Sequence, residues 1–274
     1  MTLVPSKNEL NDVQADRSHQ NIDLNRVGIS DFKLPLTVAD RANQTQQVVA
    51  RTNFGVNLIK DQRGAHLSRF IELAEEYRSA RFTLGSVAEF LRAMQQRLDA
   101  TDAYARFDFD YFVPKNSPRS GKEALVDYDC GFGGRLIDDT LKIWIRTAIP
   151  LTSLCPCSKS NSPRGAHNQR AIVKSKAVIN GMVWLEEMIS MVEAEGSSQV
   201  YSLLKREDEA FLTDEAYDNP KFVEDIVRDL SLRFQEHQKI RDFTIQCVSY
   251  ESIHNHNAYA AISHGDFWRK SEVV

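Results

Sequence analysis

Two stretches of alternation between apolar and polar residues place the firmest limits on what this chain can fold into. Phe107, Phe109, Tyr111 and Val113 are separated mainly by charged residues, and apolar residues recur at mostly alternate positions in the stretch 141–149. A period of two is typical of a strand with one face in the core and the other toward solvent. Apolar residues at helical spacing lie between further strand-like stretches, so the chain is predicted to be an α+β protein.

The predicted elements occur twice in one order: two strands, two helices and two strands. The boundary lies near residue 138, which suggests a structural duplication. We predict a flexible polar leader at 1–26, a first unit at 27–138 and a second unit at 139–274. The stretches that carry these predictions include strands at 46–58, 106–113, 123–137, 141–149, 170–179, 241–250 and 257–263, and helices at 70–77, 86–99, 182–195 and from 220 onward.

Local signals predict where two of the helices begin. Ser86, with Glu89 three residues later, is typical of a capping box. Asn219 followed by Pro220 is typical of a helix N-cap with proline at the first helical position. The helices of the second half are separated by a long acidic connection, 197–218, and an insertion of that length usually has a function.

Composition excludes several classes of protein. The chain has 34 Lys and Arg against 38 Asp and Glu, a net charge of −4, which argues against a basic nucleic-acid-binding surface. No run of about 18 apolar residues is present, so we expect no membrane partner and a cytoplasmic protein. The four cysteines are expected to remain thiols in a reducing compartment. A chain of 274 residues does not need a metal to fold, so metal ligands would serve chemistry.

The segment S-L-C-P-C-S-K-S at 153–160 is the strongest local signal. Cys155 and Cys157 follow a predicted strand, and the loop continues to His167. Thiolate and imidazole groups suit a borderline-soft cation such as zinc, so the segment is a candidate metal site. The alternative is a pair of structural thiols beside an unrelated histidine.

The segment E-S-I-H-N-H at 251–256 is the second signal. If the strand continues, His254 and His256 point to one face, where they could bind metal or exchange protons. The alternative is a polar strand end, or a pair of histidines that only forms hydrogen bonds. Glu209 lies in the acidic connection, and Glu224 lies near the start of the last helix. For Glu209, the alternative to a functional role is a run of solvated charges. For Glu224, the alternative is an acid that is favoured near a helix N-terminus. Lys60 and Arg63 are candidates for binding phosphates; the alternative is that they are ordinary surface charges.

Taken together, these segments resemble the prokaryotic GTP cyclohydrolases of type IB. The likeness covers about residues 30 to 265, and several motifs in one order are more specific than any one of them. The motifs are L-P-L-T at 34–37, K-D-Q-R-G-A-H at 60–66, S-L-C-P-C-S-K at 153–159, G-A-H-N-Q-R at 165–170 and I-H-N-H-N-A-Y-A at 253–260.

The resemblance implies a tandem tunnelling fold (T-fold). Each unit would be an antiparallel sheet with a helix pair on one face. It also implies a homotetramer with active sites at subunit interfaces and only the second unit carrying the metal site. A metal of this family is zinc, manganese or iron(II).

The implied reaction converts GTP and water to 7,8-dihydroneopterin triphosphate and formate, with water adding at guanine C8. By motif, Cys155, His167 and Glu209 would bind the metal, and Cys155 is favoured over Cys157 as the essential thiol. The resemblance further implies that Glu224 would bind the purine edge and that His254 and His256 would transfer protons. Glu251 would support the proton transfer. Lys60 and Arg63 would bind the triphosphate.

Two other functions fit the same residues. One is a metal-dependent hydrolase that acts on another purine or pterin with the same scaffold, because a fold does not fix a reaction. The other is a non-catalytic nucleotide-binding protein whose thiols hold a structural zinc, and its metal would be needed for folding.

Overall fold

The structure is a computed structural model that describes residues 12–14 and 16–266. The described part contains ten strands and six helices. The strands are β1 (Leu24–Asp40), β2 (Gln44–Leu58), β3 (Arg81–Phe82), β4 (Asp102–Asn116), β5 (Glu123–Ile137), β6 (Thr140–Leu154), β7 (Asn168–Ile179), β8 (Ser198–Gln199), β9 (Ile240–Ser249) and β10 (Ala258–His264). The helices are α1 (Leu67–Tyr77), α2 (Leu84–Leu98), α3 (Pro156–Asn161), α4 (Leu185–Glu193), α5 (Arg206–Asp218) and α6 (Val223–Glu236).

All ten strands belong to one sheet, ordered β10-β9-β7-β6-β5-β4-β2-β1-β3, with β8 beside β6. Within the described residues, only the short β1–β3 pairing is parallel. The halves join because β5 and β6 form a hairpin across the predicted boundary, with Ile137 opposite Thr140 and the ladder extending to Asp129 opposite Ala148. Hydrogen bonding across a tight turn makes the sheet continuous through this point.

The predicted fold class, tandem T-fold units made of antiparallel sheets with helix pairs on one face, is therefore wrong. A single mostly antiparallel sheet with few helices takes its place. The division at residue 138 falls in the β5–β6 turn, and the two units, 27–138 and 139–274, stay a prediction. Of the predicted leader, residues 1–11 and 15 lie outside the described residues, as do 267–274 of the second unit, and β1 already begins at Leu24.

Two helix starts differ from the predicted ones. Helix α2 is capped by Thr83, whose hydroxyl accepts from the backbone N–H of Ser86, so Ser86 is the third helical residue. Helix α6 begins at Val223, and Asn219 instead ends α5. The acidic connection contains α5, a helix with little apolar character that composition did not distinguish from a solvated loop.

The core lies where aromatic side chains of α2 meet the sheet. Phe54 of β2 lies 4.7 Å from Phe90 of α2 and 5.1 Å from Phe107 of β4, ring centroid to centroid. The Gly-rich end of β5 lets neighbours approach, because a Cβ on Gly133 would come 2.4 Å from the Trp144 ring. No helix of the described residues has the length and apolarity needed to cross a membrane.

Buried polar contacts tie the second half to the β4–β5 hairpin. Lys115 Nζ lies 2.6 Å from Glu193 Oε1, and both side chains are about nine-tenths buried. Tyr128 donates to the same carboxylate at 2.7 Å. The turn at 117–122 holds the start of α5, since the backbone N–H groups of Arg119 and Ser120 donate to Asp208. The hairpin therefore supports the segment that carries Glu209.

Candidate active site

The β6–β7 hairpin brings the thiol and the imidazole together. Leu154 pairs with Asn168 at the loop end of this hairpin, and the loop between them begins at Cys155 and ends at His167. The backbone N–H of Cys155 donates to the carbonyl of His167 at 3.1 Å. Cys155 also caps α3, because its Sγ accepts from the N–H of Ser158 at 3.4 Å. Ladder register, rather than sequence distance, thus makes the two residues neighbours.

The segment that follows strand β9 adds a carboxylate and two imidazoles. The last residue of β9, Ser249, pairs with Ala171 of β7, so the chain leaves the sheet beside the thiol loop. The strand ends there, and His254 and His256 lie in the exposed segment that leads to β10 rather than on a strand. Their rings still stack at 5.2 Å, and His254 lies 6.3 Å from His167. The two histidines therefore face one another and the thiol loop.

Lys221 fixes the start of α6 against the end of β6. Its N–H donates to the Leu154 carbonyl at 3.1 Å, and its carbonyl accepts from the Ser153 hydroxyl at 3.1 Å. Its ammonium lies 3.2 Å from Glu195 and 2.9 Å from Asp229. Because these bonds hold both ends of one residue, they set the first turn of α6, which carries Glu224, next to the thiol loop.

These segments enclose a cavity of about 240 Å³, here called the thiol–imidazole cavity. Its walls come from the end of β6, the start of β7, the start of α6 and the segment between β9 and β10. Six residues predicted from sequence line it: Cys155, His167, Glu224, Glu251, His254 and His256.

The remaining predicted residues lie elsewhere. Glu209 is exposed and lines a neighbouring cavity of about 370 Å³, and Gln169 lines both cavities. Cys157 is exposed and is not among the lining residues. Within 12–14 and 16–266, no group of three or more His, Cys, Asp or Glu is gathered closely enough to hold a metal ion. Two of the three predicted ligands therefore share a cavity, and the third lies across Gln169.

Lys60 and Arg63 lie at the opposite end of the sheet. They follow β2, and three successive antiparallel pairings separate β2 from β6. An odd number of such pairings makes two strands run in opposite directions. The C-terminal ends of β2 and β6 therefore point toward opposite ends of the sheet, measured along the strand direction. Within one chain these two cations do not line the thiol–imidazole cavity.

Burial controls the reactivity of a thiol behind the cavity. Cys247 of β9 is fully buried, and desolvation together with the negative charge of Glu224 raises its pKa to about 12. Cys155 and Cys157 are accessible by comparison. Of the four thiols, only these two are therefore exposed enough to react with solutes.

Sequence reasoning did not assign roles to Gln169 or Lys221. Gln169 appears in the G-A-H-N-Q-R motif, and its position two residues after His167 on a strand was the available signal. Lys221 carried no signal, because its role depends on contacts with Ser153 of β6 and with Glu195, shortly after α4, which are both distant in sequence. A third contact, with Asp229 of α6, is closer along the chain.

The fold is a single long, mostly antiparallel sheet, and it resembles the fold of a solved uricase. The crystal structure of uricase from Arthrobacter globiformis matches with a TM-score of 0.51 at 7% identity, covering 89% of this chain and 94% of that one. The structure of a highly active BTUO mutant matches with a TM-score of 0.53 at 8% identity, covering 87% and 97%. At these identities the likeness concerns the fold alone.

Sequence comparison is more specific. The family model described as type I GTP cyclohydrolase folE2 matches residues 10–260. Proteins named GTP cyclohydrolase FolE2 are 44% identical over 253 residues in Halorhodospira halophila, covering 92% of this chain and 97% of the relative, and 43% identical over 259 residues in Kosmotoga olearia, covering 93% and 99%. The chain belongs to the type I GTP cyclohydrolase folE2 family and is an enzyme of the hydrolase class. The resemblance to type I GTP cyclohydrolases is thereby confirmed.

Proposed function

We propose that the thiol–imidazole cavity is the site at which this GTP cyclohydrolase converts GTP and water to 7,8-dihydroneopterin triphosphate and formate. The observation that supports the proposal is that residues from four separate chain segments line this one cavity. The reaction is the first step of folate and related pterin biosynthesis, and we place it in the cytoplasm. The side chains of this cavity cover the chemical needs of the reaction: an acceptor for the purine edge, proton-transfer groups and soft donors.

Glu224 is the proposed anchor for guanine. A carboxylate accepts two hydrogen bonds side by side, which matches the N1–H and exocyclic amine of the purine. Fixing this edge would present guanine C8 to the thiol loop. His254 and His256 would move protons as the imidazole ring opens, since histidine exchanges protons near neutral pH. Glu251 would support them from the same wall of the cavity.

The donor set fits a divalent metal at Cys155 and His167. His167 uses Nδ1 in a 2.9 Å contact with Gln169, so its Nε2 is the nitrogen available to a ligand. Cys155 and His167, with Glu209 as the third ligand, would hold zinc, manganese or iron(II), which all accept a mixed sulfur, nitrogen and oxygen set. When bound, such a metal supplies a Lewis acid that activates water for attack at C8.

Triphosphate binding by Lys60 and Arg63 would require a second copy of the chain. The described sheet leaves the outer edge of β10 without a partner strand, and such edges are commonly covered by association. Tyr259 and Ile253 beside this edge are 71% and 66% exposed. A homotetramer would cover these groups and bring the end of β2 from one copy to the cavity of another.

The first experiment is GTP turnover by metal-stripped protein supplied separately with zinc, manganese or iron(II). We expect formate and dihydroneopterin triphosphate with at least one metal, and no product from Cys155→Ala. Cys157→Ala is the matched control and should keep most activity, because Cys157 lies outside the cavity. GTP binding without formate release from the wild type would contradict the assignment of the reaction to this cavity.

The second experiment tests the shared site. Cys155→Ala and Lys60→Ala chains are coexpressed with different tags, and mixed oligomers are isolated. Random association at equal amounts would pair an intact Lys60 with an intact Cys155 of another copy at about one quarter of sites, and activity should return to that level. Failure of the mixed oligomer to regain activity would contradict a contribution across the interface, and light scattering reports the oligomer mass.

A further inference from the structure

Gln169 lies in the wall between the two cavities, and its side-chain amide contacts both His167 and Glu251. It is 9% exposed and is the second residue of β7, directly after the thiol loop. Its Nε2 donates to Glu251 Oε1 at 3.4 Å, and its Oε1 lies 2.9 Å from His167 Nδ1. The Ser249 hydroxyl donates to the same Glu251 oxygen at 2.9 Å. A continuous polar chain therefore runs from Ser249 through Glu251 and Gln169 to His167.

Donors and acceptors in this series of hydrogen bonds can be assigned in one consistent direction. A carboxylate oxygen accepts hydrogen bonds, so the group that Gln169 turns toward Glu251 must be its NH₂. The amide oxygen of Gln169 then faces His167, and an amide oxygen also accepts only. His167 must consequently carry its proton on Nδ1, which leaves the lone pair on Nε2. Ser252, whose hydroxyl donates to the same Gln169 oxygen at 3.3 Å, is compatible with this direction.

We propose that Gln169 is a positioning residue that transmits the orientation of Glu251 to His167 and fixes the histidine tautomer that can bind a metal through Nε2. Metal-binding histidines usually donate their other N–H to an oxygen acceptor, and loss of that acceptor costs about 10- to 100-fold in metal affinity. This inference rests on the proposed metal role of Cys155 and His167. It also gives Glu251 a role in orientation in addition to its support of proton transfer.

The test measures zinc affinity of the full-length protein by competition with a chromophoric chelator, without substrate. Gln169→Met keeps the size of the side chain but removes both hydrogen bonds, and we expect about 10- to 100-fold weaker zinc binding. The swapped double variant Q169E/E251Q retains an acceptor for His167 and a donor opposite it, and should bind within about threefold of wild type. Ser252→Ala, which removes only the secondary donor, is the matched control and should bind like wild type.

A second readout follows the tautomer directly. In protein with ¹⁵N-labelled histidine, the metal-free wild type should show His167 protonated on Nδ1, and Gln169→Met should lose that preference. The His167 signal is identified by its absence in His167→Asn.

The outcomes separate two failures. Wild-type zinc affinity and an unchanged tautomer in Gln169→Met would overturn the positioning role. Unchanged zinc affinity in Cys155→Ala and His167→Ala would instead overturn the proposed metal site. A Gln169→Met protein that loses its fold leaves the double variant as the test, and failure of that variant to bind zinc would also overturn the proposal.

Discussion

Replacing Lys115 by Met should weaken the connection between the two halves of the sheet more than any exposed charge does. The ammonium and the Glu193 carboxylate are 12% and 8% exposed, and Lys115 also donates to the Val200 carbonyl at 3.0 Å. Burial lowers the pKa of Lys115, and the attraction of Glu193 partly offsets that shift. The pair is therefore desolvated, and each charge depends on the other.

Removing the cation leaves Glu193 buried, with the Tyr128 hydroxyl as its one remaining side-chain donor among the described residues. Loss of one partner of a buried ion pair costs about 3–5 kcal/mol. For a protein of this size that free energy corresponds to a fall in Tm of roughly 10 °C. Urea unfolding at fixed protein concentration, followed by circular dichroism and by fluorescence, measures the change in the free energy of unfolding.

Two further variants make the reasoning refutable. Lys122→Met removes an exposed charge from the neighbouring turn and should change stability by less than about 0.5 kcal/mol. The double variant K115M/E193Q removes the uncompensated charge and should recover a large part of the loss. A loss below about 1 kcal/mol in K115M, or no recovery in the double variant, would show that the pair is solvated and the argument from burial is wrong.

Three further predictions follow from named contacts. Burial alone would raise the pKa of Asp208, but hydrogen bonds from Ser120 and neighbouring backbone N–H groups lower this pKa below its ordinary value of 3.8. The Asp208 carboxylate therefore stabilises the fold above about pH 4, and this stabilisation is lost as the pH falls further. The stability advantage of wild type over Asp208→Asn should accordingly shrink below about pH 4 in urea titrations, and an advantage constant down to pH 3 would contradict this. Gly133→Ala should cost about 1–3 kcal/mol, because the new Cβ would come 2.4 Å from the Trp144 ring, and an unchanged Tm would refute the close approach. Iodoacetamide should modify Cys157 in the folded protein but modify Cys247 only after unfolding, as peptide mass spectrometry can show.

The candidate site was largely predictable because its residues belong to types that carry chemistry. Cys155, His167, His254 and Glu224 stand out in a chain with four Cys and seven His, and the cavity collects them. Gln169 did not stand out, because a glutamine gains a role only through the two groups it contacts. The position of Glu209 depends on α5, whose start is held by Asp208 and the β4–β5 turn, a contact that local sequence does not encode.

The sequence by itself determined the local structure: alternation produced the long strands, apolar stripes produced most of the helices, and the motifs identified the family. The sequence did not determine the helix starts correctly, since Thr83 and Phe222, rather than the predicted residues, occupy the N-cap positions. Only the tertiary structure decided that the halves form one sheet, because continuity depends on hydrogen bonds between β5 and β6 across the boundary at residue 138. Periodicity reports which face of a strand is buried, whereas strand partners are fixed by backbone hydrogen bonds and packing that no local pattern specifies.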